Sequence, residues 1–160
     1  MAHNKRWGCV FNLLFILYLI MIFSITLVPV DGVDFAVDDN YQFFHSIGRY
    51  IDGIKSEGVF AEENFMTIFN DGFIGIVNIF TYPFKNLMGN ILLFIPFGLL
   101  YPLCRKKVLW IEVVLAILVF TLSIELLQFI FFTSRSADVD DMLLNFVGGI
   151  LGYFLYQWLE

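Results

Sequence analysis

Charge is scarce in this 160-residue chain: Asp, Glu, Lys and Arg make up 15% of it, where a soluble domain carries about a quarter. Too little charge is available to cover the surface of a water-soluble domain of this size. Cysteine and histidine are also sparse. Cys9 and Cys104 lie at the ends of apolar stretches, and His3 and His45 have no companion His or Cys nearby. That excludes a disulfide framework and a metal site built on His and Cys. The cysteines read as small apolar residues near a membrane, and no cofactor is expected. A basic excess is missing too. The net charge is −6, which argues against a nucleic-acid partner. Internal repeats and low-complexity tracts are absent.

What is present is apolar. Hydrophobic residues form 59% of the chain, 20 of them Phe, and the mean hydropathy is +0.81. Four stretches approach or exceed the roughly 20 apolar residues that span a bilayer core. They run at about 7–30, 87–103, 108–132 and 142–159. The first begins after Lys5 and Arg6 but is far longer than a signal-peptide core, and VPVDGVDF is a poor cleavage site. An uncleaved membrane helix is expected. The fold class predicted is an all-α membrane protein, a four-helix transmembrane bundle forming one domain over 1–160, with no room for a separate soluble domain.

Basic residues set the predicted orientation. Lys5 and Arg6 precede the first span, and Arg105, Lys106 and Lys107 fill the connection between the second and third. With an even number of spans both groups share one face, which should be cytoplasmic, as should both termini. The outer segment 31–86 then holds nine Asp and Glu against Arg49, Lys55 and Lys85. Within it Tyr41, Phe44, Ile47, Ile51 and Ile54 recur at helical spacing. They predict an amphipathic helix that lies on the outer leaflet, caps the bundle or packs on its own loop. Further on, FNDGFIGIVNIF has a turn signal before a run too short to span, which fits a hairpin or a re-entrant approach equally.

Polar residues interrupt the spans at a cost. An acid at the centre of a bilayer helix costs about 2.5–3.5 kcal/mol on insertion scales. Glu125 lies seven residues before the end of the third span, with Gln128 and Thr121 on the same face. In the fourth, Asp141, Asn145, Gly148, Gly152 and Tyr156 share a stripe, and Gly148 with Gly152 allows close approach of another helix or of a ligand. Asn86 and Asn90 are expected near the outer end of the second span, while Pro96 should kink it or free the Leu92 carbonyl.

These residues should converge on one polar pocket facing outward, with Arg135 reaching down to Glu125. Ordinary capping competes with that picture, because Asp138 is a natural N-cap and Asp140 and Asp141 would fall in the first turn. Glu125 has no capping role and reads either as functional or as a structural partner of Arg135. Glu112, beside Trp110 at the cytoplasmic end, can snorkel.

Taken together, NILLFIPFG at 90–98, Glu125 with Gln128, and Arg135, Asp138, Asp141, Asn145, Gly148 and Gly152 resemble the VanZ-like family of bacterial membrane proteins. Phe94, Pro96 and Gly98 belong to the same pattern, and the resemblance covers about 78–155. Asn78 and Pro83-Phe84 match a further family stretch only loosely, and 31–77 carries no family motif. The resemblance implies a four-span plan and a cell-envelope role. The family takes its name from a protein associated with resistance to the glycopeptide teicoplanin.

Three functions follow as expectations. The first is an envelope protein binding a lipid-linked or amphiphilic ligand, such as a cell-wall precursor or lipoglycopeptide. Arg135 would pair with its anionic group, Asn90, Gln128 and Asn145 would hydrogen-bond its head, and Glu125 would orient Arg135. The second is an intramembrane enzyme acting on lipid phosphates or glycans. Glu125 would be its general base, and Asp138 with Asp141 would hold a divalent cation. No nucleophilic Ser or Cys accompanies a base, so the enzyme ranks lower. The third is a structural subunit whose glycine face docks a membrane partner or a second copy. Membrane lipids are the expected surroundings in all three.

Overall fold

The computed structural model describes residues 5–27, 43–61, 79–105, 107–131 and 138–160. Those residues form five helices: α1 (Lys5–Leu27), α2 (His45–Glu57), α3 (Tyr82–Leu103), α4 (Trp110–Phe131) and α5 (Val139–Leu159). Four of them, all except α2, are long and apolar enough to cross a membrane. The protein is an all-α membrane bundle.

Each span sorts its apolar residues by face. On α1, Phe15, Tyr18 and Ile22 turn inward at steps of three and four, while Leu13, Leu17, Ile20 and Met21 stay exposed. On α4, Val113, Ile117 and Ile124 are buried, and Leu115, Leu118, Leu122 and Leu126 are exposed. A soluble monomer rarely leaves so large an apolar area uncovered; in a bilayer the lipid covers it. Because both faces of α1 and α4 are apolar, hydropathy alone does not reveal which one packs.

The core is aromatic. Phe97 stacks on Phe120 with centroids 4.7 Å apart, and Phe94 and Phe23 each lie 5.7 Å from the same ring. Such pairs contribute about 0.5–1.5 kcal/mol beyond area burial. Tyr18, on α1, donates its hydroxyl to the Leu93 carbonyl of α3 at 2.8 Å. In a bilayer that buried O–H requires such a partner.

Glycines set the closest approach. A Cβ at Gly98 would strike the Gly149 backbone, one at Gly148 the Ile91 carbonyl, and one at Gly152 the Ile95 carbonyl. Gly149 faces the other way, where a Cβ would come within 2.7 Å of Ile117 on α4. The adjacent pair Gly148-Gly149 therefore lets α5 press against two helices at once.

Helix starts differ from the sequence expectation, and the reasons are local. α3 begins at Tyr82 rather than 87, because Thr81 is in extended conformation at the N-cap and Pro83 occupies the first turn, where its missing N–H is harmless. The helix continues through Pro96 to Leu103. α5 begins at Val139 rather than 142, capped by Asp138, whose side chain accepts from the Asp140 N–H at 2.9 Å. α2 begins at His45, and Phe44, placed on the predicted helical stripe, is its N-cap residue in the left-handed region with φ 66°. The helix packs across α3, where a Cβ on Gly53 would meet Pro83 at 2.6 Å. Phe43, Phe44 and Ile51 remain exposed.

Residues 58–61 run antiparallel to 79–81, with Ala61 N–H donating to the Ile79 carbonyl at 2.7 Å and Thr81 N–H to Val59 at 3.0 Å. Tyr41 and most of FNDGFIGIVNIF lie outside the described residues.

Candidate functional site

Polar side chains from α2, α3, α4 and α5 gather at one end of the bundle, the end of the α5 N-terminus. Asn90 lies eight residues inside α3, about 12 Å along it, rather than near its tip, because the helix starts earlier. Its Nδ2 donates to Asp141 Oδ1 at 2.6 Å. One turn deeper, Asn145 Nδ2 donates to Thr121 Oγ1 at 3.1 Å, and both residues are buried. Glu125, only 6% exposed, stands one turn above Thr121 on α4. Its Oε2 accepts from the Asp138 N–H at 3.3 Å. Glu125 thus meets the start of α5 at the same point where Asp138 caps it.

Gln128 turns sideways instead. Its Nε2 donates to the Thr26 carbonyl of α1 at 2.9 Å, which ties α1 to α4. Asn90, Asp141, Asn145, Thr121, Glu125 and Asp138 are therefore brought together across α3, α4 and α5. Arg135 lies outside the described residues.

Asp140 has a role that the sequence did not disclose. Its side chain is fully buried, and it caps a helix other than its own. Oδ1 accepts from Phe44 N–H at 2.6 Å, and Oδ2 accepts from Ser46 at 2.7 Å and Ile47 at 3.1 Å. Those are orphan donors at the start of α2. A carboxylate there also meets the positive end of the α2 dipole. The three N–H groups offset the cost of burying it, and the contact holds Phe44 in its unusual backbone conformation.

Tyr50, on the next turn of α2, is the other contributor missed. Burial pushes its phenol above the ordinary value, and the carboxylates of Asp141 and then Asp138 push it further, with Arg49 opposing. It remains an O–H donor beside those two acids. Arg49 itself donates to Ser46 Oγ at 3.0 Å. The segment-31–86 helix thus supplies a wall of the site, a pairing set by contacts about 95 residues apart in sequence that no local pattern reports.

One atom in this network is left over. Asn145 Oδ1 is buried, with the residue 4% exposed, and accepts no hydrogen bond from the described residues. A buried carbonyl oxygen without a donor costs about 1–3 kcal/mol, and buried polar atoms without partners are rare. The Asn145 side chain therefore presents a buried acceptor beside Thr121. Among the described residues no group of three His, Cys, Asp or Glu side chains is arranged to hold a metal ion.

Comparison with known proteins agrees with the motif pattern. The family described as VanZ/LLP1 matches residues 15–160. Protein VanZ of Enterococcus faecium is 38% identical over 76 residues, which is 48% of this chain and 47% of that protein. The matched region thus spans about half the length of that relative. No solved structure matches the chain.

Proposed function

This chain belongs to the VanZ/LLP1 family, and from that premise we propose that it is a cell-envelope membrane protein whose polar end recognises the head group of an amphiphilic ligand. The ligand class is a lipid-linked cell-wall precursor or a lipoglycopeptide of the teicoplanin type. The observation that carries this reading is the buried Asn145 Oδ1, which accepts from no described residue and lies at the base of a network in which the neighbouring polar groups hold one another in place. A ligand hydroxyl or amide N–H satisfies that acceptor. Asn90 and Asp141, bonded to each other, and the Tyr50 hydroxyl form the sides. Arg135 is assigned to pair with an anionic group of the ligand. Gln128 steadies α1 through Thr26.

In this reading the polar end faces outward and both termini are cytoplasmic. Lys5, Arg6, Arg105 and Lys107 all belong to the opposite end, and basic residues favour the cytoplasmic side.

The test is binding in nanodiscs, with teicoplanin and a lipid-linked cell-wall precursor as separate probes. Asn145→Leu fills the acceptor position with an apolar isostere, and Asp141→Asn alters the Asn90 pairing. The wild-type chain is expected to bind one probe, and Asn145→Leu to weaken it about tenfold or more, the value of one hydrogen bond in a desolvated site. Equal binding by wild type and both variants would remove the polar end as the recognition site. Glu125→Gln serves as the control for chemistry: turnover of the precursor by wild type, abolished in Glu125→Gln with binding intact, would replace recognition by catalysis.

A further inference from the structure

The bundle's other end holds an open cavity of about 630 Å³, lined by Asn12, Phe15, Tyr101, Cys104, Arg105 and Lys107. That volume is in the range of small-molecule and cofactor sites. It forms where the first half of α1 leans against the end of α3 and the turn that follows.

Its floor is aromatic and fixed. Phe15 meets Tyr101 edge-on with centroids 6.1 Å apart and Phe97 at 5.5 Å. Phe97 and Tyr101 stack at 5.7 Å with planes only 9° apart. The rim is cationic. Arg105 lies over the Tyr101 ring, its guanidinium carbon 4.8 Å from the centroid, and Lys107 follows across the turn. Cys104 adds a neutral wall, because burial pushes its thiol up more than Arg105 lowers it. Glu112 accepts from Leu109 N–H on its own helix start.

Basic residues at this position have ordinary causes, since cations favour a helix C-terminus and the cytoplasmic face. Those causes do not require an open cavity beside the cations, nor an aromatic floor beneath them. Phe15 also lies seven residues inside the span that starts at Gly8, about 10 Å along the helix. The cavity therefore runs from a charged rim into the apolar layer, the profile of an amphiphile with an anionic head.

We propose that this cavity binds an anionic phospholipid, its phosphate between Arg105 and Lys107 and its upper chain against Phe15 and Tyr101. Arg105 is held by the ring in an orientation that presents guanidinium N–H donors to phosphate oxygens. Basic pockets between membrane helices take such head groups from the anionic cytoplasmic leaflet. The site is separate from the polar end and does not depend on what that end recognises.

Lipid retention on the intact protein tests it, measured by native mass spectrometry from nanodiscs of mixed phosphatidylglycerol and phosphatidylcholine. Wild type is expected to retain phosphatidylglycerol over phosphatidylcholine by about tenfold to thirtyfold, given roughly 1 kcal/mol for each of two cations. Arg105→Gln with Lys107→Gln should bring that preference close to one. Asn12→Trp fills the cavity from its rim and keeps every charge; it should lose the retained lipid as well. If Asn12→Trp retains phosphatidylglycerol like wild type, the attraction is general surface charge and the site is overturned. Displacement of the lipid by millimolar inorganic phosphate would overturn the lipid assignment in favour of a free phosphate site.

Discussion

The two ends of the bundle use polar residues in opposite ways. At the acidic end Asp138 caps α5, Asp140 caps α2, Asp141 holds Asn90, and Glu125 holds the Asp138 N–H. Charge there is used in capping and joining helices, and the neutral Asn145 Oδ1 accepts from no described residue. At the basic end Arg105 instead rests on an aromatic ring beside an open cavity. The difference teaches that a dense cluster of charged residues is not by itself a vacancy. Space at the basic end is organised by aromatic side chains.

The largest expected effect breaks both ends together. Gly148→Val would drive a branched side chain into the Ile91 carbonyl, with no flexible neighbour to yield. Overpacking costs about 1–3 kcal/mol and occasionally more, and contact with backbone belongs at the upper end. Detergent-solubilised protein should lose its monodisperse peak on size-exclusion chromatography, and both binding activities with it.

Next in size, Asp140→Ala should separate the ends. It strands three N–H groups at the start of α2, each costing on the order of 1 kcal/mol once its partner is gone. Hydrogen exchange at residues 44–47 should rise by at least tenfold, while lipid retention at the basic end is unchanged. Asp140→Asn, which keeps one acceptor oxygen, should fall between the two. Equal protection in Asp140→Ala and wild type would mean that α2 is held by its packing on α3 alone.

Much of this arrangement is readable from the chain, and the unread part has a common cause. The four spans follow from apolar length, and the stripe of Asp141, Asn145, Gly148 and Gly152 from helical periodicity. Asp138 was recognisable as a cap because capping acts within three residues. The early start of α3 had a usable signal in Thr81-Tyr82-Pro83, since proline fits a first turn, but the apolar count outweighed it. Asp140 was legible only as a first-turn acid, because its true partners lie 93–96 positions away. Gly149 was hidden by its neighbour, for only the packed bundle shows that Gly148 faces α3 and Gly149 faces α4. The basic-end cavity is made by residues near 12–15 and 101–107, which no local spacing connects.

A smaller effect sharpens the acidic end. Asn90→Leu leaves Asp141 without the Asn90 amide and should destabilise the fold by about 1.5–3 kcal/mol, the range for hydrogen bonds to a charged group. Thermal unfolding in detergent would register this as a lower midpoint. Asp141→Asn should cost less, because an amide oxygen still accepts from Asn90. The smallest expected change is Gln128→Leu, which removes one bond to α1 worth about 1 kcal/mol. Cross-linking between α1 and α4 would detect it as a looser pair, with the Asn90–Asp141 contact intact.

The most direct measurement compares Asn145→Leu with the Arg105→Gln, Lys107→Gln double variant in the same nanodiscs, reading amphiphile binding and phosphatidylglycerol retention side by side. A crossed result is expected: Asn145→Leu loses the head-group ligand and keeps the lipid, and the double variant does the reverse. Loss of both activities in both variants, or of neither, would contradict the account of two separately built ends.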